Sequence, residues 1–220
     1  MLKTYYRGKL PHIHPIGATF FITFRLAGSL PKIFEQNLKD WNKSRIDEIL
    51  RAKEPNWKEQ LYIQSKKYFQ RFDNALDLKM TNVQHLANPK IALIVKEQIH
   101  RFDGEFYNLL AYSIMPNHVH LVFDTQIQLL GLKGNEEITQ GNYKQVDKIM
   151  QRIKGAASRY CNLALGLKGQ FFEHESYDHF IRNQKELLNI LNYTIMNPVK
   201  ARLVTKWEDF PFAFWKGWQP

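Results

Sequence analysis

The stretch that most constrains the fold runs from Phe106 to Asp124, two strand-like segments around the turn-favouring trio Met115-Pro116-Asn117. Asp103-Gly104 turns the chain into the first run, Phe106 to Ile114. The second alternates as His118, Val119, His120, Leu121, Val122, Phe123. Two neighbouring strands joined by so short a turn form a hairpin in one antiparallel sheet. Side chains alternate across a strand, so Val119, Leu121 and Phe123 point into a core. His118 and His120 project from the other face with roots about 7 Å apart. Two imidazoles leaning together can hold one divalent ion; on a half-exposed strand, water or neighbouring groups satisfy them equally well.

Ala18 to Leu26 repeats the strand pattern, with Phe20, Ile22, Phe24 and Leu26 on one face and Thr19, Phe21, Thr23 and Arg25 on the other. Before it, Pro11-His12-Ile13-His14-Pro15 holds a second His-x-His pair in an extended lead-in, a further candidate for touching a metal or a nucleic acid. After Gly28-Ser29-Leu30-Pro31, residues 32–53 and about 57–80 read as helices separated by Pro55, and no spacing in them suggests chemistry. Phe34, Leu38, Trp41, Ile46 and Ile49-Leu50 form the buried stripe expected of the first. Asn88-Pro89 opens another helix, Lys90 to about Arg101, with Ile91, Ile94, Val95 and Ile99 on one side.

From Thr125 to Asn142 glycines and polar residues replace the pattern, which marks a mobile loop. A long helix follows from Tyr143 to Leu165, closed by Gly166, with Val146, Ile149, Met150, Ile153, Ala157, Tyr160 and Leu163-Ala164 facing inward. Phe171 to Ile181 reads as a strand unusually rich in ionisable groups. Asn183 with Glu186 resembles a capping pair, and Leu187, Leu188, Ile190, Leu191 and Ile195 make a helical stripe that stops at Asn197-Pro198. Tyr193 and Asn197, four residues apart, share an exposed ridge of that helix that the core does not need.

A chain of 220 residues with 44% hydrophobic residues can bury one sizeable core. The single cysteine, Cys161, has no partner for an internal disulfide. The absence of a leader pattern and of a run of eighteen apolar residues leads us to expect a soluble cytoplasmic protein with no membrane partner. Lys and Arg number 31 against 21 Asp and Glu, a net charge of +10 that suits a nucleic-acid partner. Between Gly141 and Lys206 eleven basic residues face five acidic ones.

Met115-Pro116-Asn117-His118-Val119-His120 together with Tyr193-Thr194-Ile195-Met196-Asn197-Pro198-Val199-Lys200-Ala201 resembles the single-tyrosine HUH transposases, and most of all their REP-associated branch. The Leu10-Pro11-His12 lead-in, Thr19-Phe20-Phe21, Tyr177-Asp178-His179 and Ile181-Arg182 extend the likeness over most of the chain. The resemblance implies an α+β fold, a ferredoxin-like antiparallel sheet of about four strands with packed helices. It implies one domain over 1–220, with the helical region at about 32–86 as an insertion. His118 and His120 match the family's metal-binding histidines, and Asn197 stands where many members carry the longer glutamine of the metal site. The ion implied is divalent, Mg²⁺ or Mn²⁺. Tyr193 matches the nucleophile, and Tyr177 is the competing one.

The resemblance implies a DNA transposase and single-strand endonuclease that cuts and rejoins strands next to hairpins through a 5′-phosphotyrosine intermediate. Its partner would be single-stranded or hairpin DNA, which would associate the protein with the nucleoid. A homodimer and a monomer both fit. A phenol with a pKa near 10 is about 0.1% ionised at neutral pH, so the attack needs help. Lys144, Lys148, Arg152, Lys154, Arg159, Arg182, Lys200 and Arg202 are the candidate DNA contacts. The aromatic tail, Trp207, Phe210, Phe212, Phe214-Trp215 and Trp218, can cover the core or stack on bases. Two other classes stay open: a non-catalytic binder of hairpin DNA or RNA, and a metal hydrolase that uses water.

Overall fold

The computed structural model describes residues 5–7, 11–78, 80–132 and 136–217. In chain order the elements are β1 (Tyr5–Arg7), β2 (Pro11–Ile13), β3 (Thr19–Arg25), α1 (Lys32–Ala52), α2 (Trp57–Asp77), α3 (Pro89–His100), β4 (Asn108–Ile114), β5 (His118–Asp124), α4 (Ile127–Leu130), α5 (Val146–Leu165), β6 (Tyr177–Phe180), α6 (Gln184–Lys200) and β7 (Ala213–Trp215). They form two compact units, one of residues 1–26 with 85–220 and the other of residues 27–84.

The larger unit is built on an antiparallel five-stranded sheet in the order β6-β3-β5-β4-β7, beside a separate β1-β2 pair. Without β7 the sequence β3, α3, β4, β5, α5, β6 with that strand order is the split βαβ arrangement of a ferredoxin-like fold. The sheet therefore has five strands where the sequence suggested about four. The fifth, β7, is too short to be read from its own pattern and is defined by its pairing with β4. Phe171 to Ile181 is strand only over Tyr177–Phe180, with Phe172 held to Leu26 by an isolated bridge.

Residues directly opposite in an antiparallel pair share a face, so the register sorts the sheet. On the core face Phe20, Ile22 and Phe24 lie beside Val119, Leu121 and Phe123, all fully buried. α3 and α5 cover this face with Ile91, Val95, Ile99, Ile149 and Ile153. Each fully buried side chain of this kind contributes about 1.5–3 kcal/mol. Cys161 completes the inward stripe of α5, whereas Tyr160 and Leu163, expected inward, are 44% and 70% exposed. The reason is angular: four residues beyond Ala157 the 3.6-residue stripe reaches position 161, and the apolar positions 160 and 163 flank it.

A bulge between Leu109 and Ala111 shifts the β4 register by one residue. It brings the small residues Ala111 and Ser113 opposite Val122 and His120, while Tyr112 and Ile114 turn to the core. Phe214 stacks on Tyr112 at 5.5 Å, so this tail aromatic serves the core; Trp218 lies outside the described residues.

The smaller unit is an antiparallel helix pair, α1 and α2, whose packed end gathers Leu30, Ala75 and Leu76 with Phe34 and Phe72. Asn42, buried in α1, accepts a hydrogen bond from Gln64 Nε2 at 3.0 Å. Among the described residues no helix is long and apolar enough to cross a membrane.

Leu121 is fully buried at the centre of the larger unit. Leu121→Ala is expected to destabilise the protein by about 2–5 kcal/mol in urea melts; a loss below about 1 kcal/mol contradicts this core assignment.

Candidate functional site

The alternation that sends Val119 and Leu121 into the core sends His118 and His120 to the opposite face, where both are buried, at 1% and 0% exposure. α6 lies on this face against β4 and β5. The two imidazoles meet with Nε2 atoms 3.1 Å apart. Their other nitrogens are fixed: His118 Nδ1 donates to Asn117 Oδ1 at 2.7 Å, and His120 Nδ1 shares a 2.8 Å hydrogen bond with Thr23 Oγ1. With its Nδ1 proton committed to Asn117, a neutral His118 turns a bare Nε2 lone pair towards His120. A hydrogen-bond partner on the second ring nitrogen sets tautomer and ring orientation, as outer partners do for metal-binding histidines.

Tyr193, half-buried on α6, brings its ring to 5.5 Å from that of His120, at 66°. Phe21 stacks on His120 at 5.6 Å and meets Tyr193 edge-on at 6.0 Å. Lys200 Nζ stands 5.8 Å from the centre of the Tyr193 ring. Glu186, Tyr193, Asn197 and Lys200 recur at helical spacing along one side of α6. The Tyr193–Asn197 ridge, expected to be exposed, faces inward: Asn197 is 0% exposed and Tyr193 half-buried, with Glu186 buried on the same side, while Lys200 at its end is exposed and Leu188 is 53% exposed. Pro198 does not end the helix, which continues to Lys200. Pro198 has no N–H for the Thr194 carbonyl; the turn beyond it is closed by the Ala201 amide on the Asn197 carbonyl and the Leu203 amide on the Pro198 carbonyl, each at 2.9 Å.

Asn197 is the group most in need of a ligand, because both its amide atoms are buried without a hydrogen-bond partner among the described residues. Leaving such a group unpaired costs about 1–3 kcal/mol. Two imidazole nitrogens bound at right angles to one ion at about 2.1 Å stand about 3 Å apart, the separation found here. The His118–His120 pair thus fits a divalent ion by donor chemistry and spacing, and Asn197, one turn beyond Tyr193 on α6, offers an unpartnered amide oxygen of the kind such an ion takes.

Tyr177 is on the same face, across β3 from the histidines, where it pairs with Thr23, which in turn pairs with His120. Its ring contacts Phe21 at 6.4 Å. His179 also shares this face and bonds Glu186 Oε1 at 3.1 Å. His14 and Asp178 form a buried pair at 2.9 Å on the core side, where His14 meets Phe20. The side chain of His12 lies outside the described residues.

The basic candidates divide between the two faces. Lys144 to Arg159 belong to α5 and its approach, on the core side. Arg182, Lys200 and Arg202 flank or end α6, on the histidine side. Lys148, Arg152 and Arg159 are exposed. Lys154 lines a cleft of about 850 Å³ with Ile22, Met150, Phe171 and Asp178. Its Nζ donates to the His174 carbonyl at 2.8 Å and to Ser176 Oγ at 3.0 Å. Burial pushes this ammonium down to about 8, against the opposing pull of Glu173 and Glu175.

Thr23 and Asn117, which hydrogen-bond the two histidines, were not singled out by sequence reasoning as site residues. Asn117 had a signal in its place before the His-x-His pair, but Thr23 becomes visible only through the β3-β5 register. No family model and no curated protein matches the chain. A solved structure of a REP-associated tyrosine transposase bound to a REP hairpin is similar over 97% of this chain and 82% of that one, at 17% identity and a TM-score of 0.48.

Thr23→Val is expected to weaken Mn²⁺ binding by about 10–100-fold in calorimetric titration, as loss of an orienting partner does; unchanged affinity contradicts the role given to Thr23. For Lys154, the unfolded chain keeps a proton between pH 8 and 10.5 that the folded protein has released. Stability relative to Lys154→Met is therefore expected to rise with pH through that window. A flat difference in melting temperature across it contradicts the buried ammonium.

Proposed function

We propose that this protein is a DNA strand transferase of the transposase type, which cuts and rejoins single strands next to hairpins, with Tyr193 as nucleophile. The observation that carries the reading is the meeting of Tyr193 with the His118–His120 pair. A phenol from a late helix and two oriented imidazoles from the central strand share one point on the sheet. The hairpin requirement follows from the motif resemblance.

The phenolic oxygen of Tyr193 attacks phosphorus, the bond from phosphorus to O3′ breaks, and the proton finishes on the departing 3′-hydroxyl. The product is a 5′-phosphotyrosine. The reverse attack, by that hydroxyl or one from another strand, restores a phosphodiester without a nucleotide cofactor. A divalent ion held by His118, His120 and Asn197, Mg²⁺ or Mn²⁺, supplies polarisation of the phosphate when bound. Thr23 and Asn117 keep the imidazoles pointed at their shared position. The α6 backbone holds the Tyr193 ring beside His120, so that positioning is part of what the fold supplies. Lys200, with its Nζ 5.8 Å from the centre of the Tyr193 ring, brings a positive charge to the place where the phosphate would sit.

Arg182, Lys200 and Arg202 serve to hold the strand at the cleavage point. The exposed Lys148, Arg152 and Arg159 are proposed to meet more distant phosphates, with Lys144 beside them. Lys154, engaged inside its cleft, is the weakest of these candidates. Binding through such contacts weakens as salt rises.

Incubation with a single-stranded hairpin oligonucleotide and Mn²⁺ is expected to yield a covalent protein–DNA adduct on denaturing gels. Tyr193→Phe abolishes it, His120→Ala lowers its rate at least about 100-fold, and Tyr177→Phe retains it. Adduct that survives in Tyr193→Phe reassigns the nucleophile. A nicked strand with no protein attached points to hydrolysis, and binding without cleavage points to a non-catalytic hairpin binder.

A further inference from the structure

Two phenols, Tyr193 and Tyr177, stand on the histidine face, and the chemistry of phosphoryl transfer does not distinguish them. In either case the phenolic oxygen bonds phosphorus, the bond to O3′ breaks and the proton passes to O3′. Position alone decides which is used.

The register defines what lies between Tyr177 and the histidines. Thr23 is the pairing partner of His120 on one side and of Tyr177 on the other. The imidazole and the phenol therefore rise from one row of the sheet, two strands apart, with roots about 10 Å from each other. The side chain of Thr23 is too short to fill the space above it, and its hydroxyl is engaged with His120 Nδ1. Phe21, two residues along β3 and on the same face, fills that space. Its ring stacks on His120 with centres 5.6 Å apart and planes at 20°, and meets Tyr177 at 6.4 Å and 67°. Tyr193 approaches from α6 and contacts both Phe21 and His120. Phe21 is 3% exposed, so its ring is held on all sides.

We infer that Phe21 is a positioning residue that selects the nucleophile: its ring occupies the slot between His120 and Tyr177, keeps Tyr177 from the histidine pair, and braces Tyr193 beside them. The inference rests on the proposed function and adds a determinant within the same site. A phenylalanine at this position is needed for its flat bulk. A smaller aliphatic side chain leaves part of the slot open while the strand keeps its place in the sheet.

The test uses the full-length protein with a pool of single-stranded hairpin oligonucleotides and Mn²⁺, and locates the adduct by peptide mass spectrometry. Wild type is expected to carry DNA on Tyr193 alone. Phe21→Leu and Phe21→Ala are expected to slow the Tyr193 adduct at least tenfold and to divert part of it to Tyr177. The combined Phe21→Ala/Tyr193→Phe variant is expected to place all of it on Tyr177. Adduct confined to Tyr193 in both single variants, with the combined variant inert, overturns the inference and leaves the proposed function standing. A wild type that forms no adduct overturns the proposed function instead. For that case, aromatic NMR of Phe21→Leu reads the slot directly: new contacts between the Tyr177 and His120 rings are expected, and their absence in a folded Phe21→Leu protein overturns the inference by itself.

Discussion

The pairing of β3 with β5 is the constraint on which the rest of the larger unit depends. With Ile22 opposite Leu121, the same register puts Thr23 opposite His120 and Arg25 opposite His118. One set of contacts excludes water and stabilises the sheet; the alternate set builds the polar face. Because the period of a strand is two, a slip of one residue would turn the imidazoles into the core and expose Leu121 and Phe123. The burial of Phe20, Ile22, Phe24, Val119, Leu121 and Phe123 therefore fixes the position of the histidines. Each is then aimed by one hydrogen-bond partner, His118 by the preceding Asn117 and His120 by Thr23 of the paired strand β3.

α6 plays the complementary part. Its capping pair, with Asn183 Oδ1 accepting from the Glu186 amide at 2.9 Å, fixes where the helix starts. The Glu186 carboxylate in turn ties it to β6 through His179 and accepts from the Arg182 amide at 3.0 Å. A helix anchored at that end carries Tyr193 across Phe21 to His120 at a fixed distance, and Asn197 one turn beyond. Small residues on β4, Ala111 and Ser113, are brought to this face by the bulge and leave room for the helix. The site is thus made by packing between secondary-structure elements, with Asn117 of the tight β4-β5 turn as its one contribution from a connection.

Much of this was legible in the sequence where periodicity was strong. The two sides of Ala18 to Leu26 and of His118 to Phe123, the hairpin, the helix opened by Asn88 and the alternation of strands and helices are all local patterns, and they agree with the structure. What escaped were features set by partners distant in sequence. β7 has three residues and is defined by its pairing with β4. Thr23 and His120 are 97 residues apart and the His14–Asp178 pair 164, so no spacing rule relates them. The inward turn of the Tyr193–Asn197 ridge was missed because a helix laid on a polar face buries polar residues, and hydrophobic periodicity is blind to that. The same blindness hid Phe21, which reads from its strand as one more apolar residue on the face away from the core.

The most direct measurement of the central claim, that one phenol and two imidazoles act at a common point, is paramagnetic broadening by Mn²⁺ in the protein with ring-labelled tyrosine and histidine. Among the ten tyrosines, Tyr193 is predicted to lose its signal first, together with those of His118 and His120. A Tyr193 signal that stays sharp while the two histidines broaden would contradict the account.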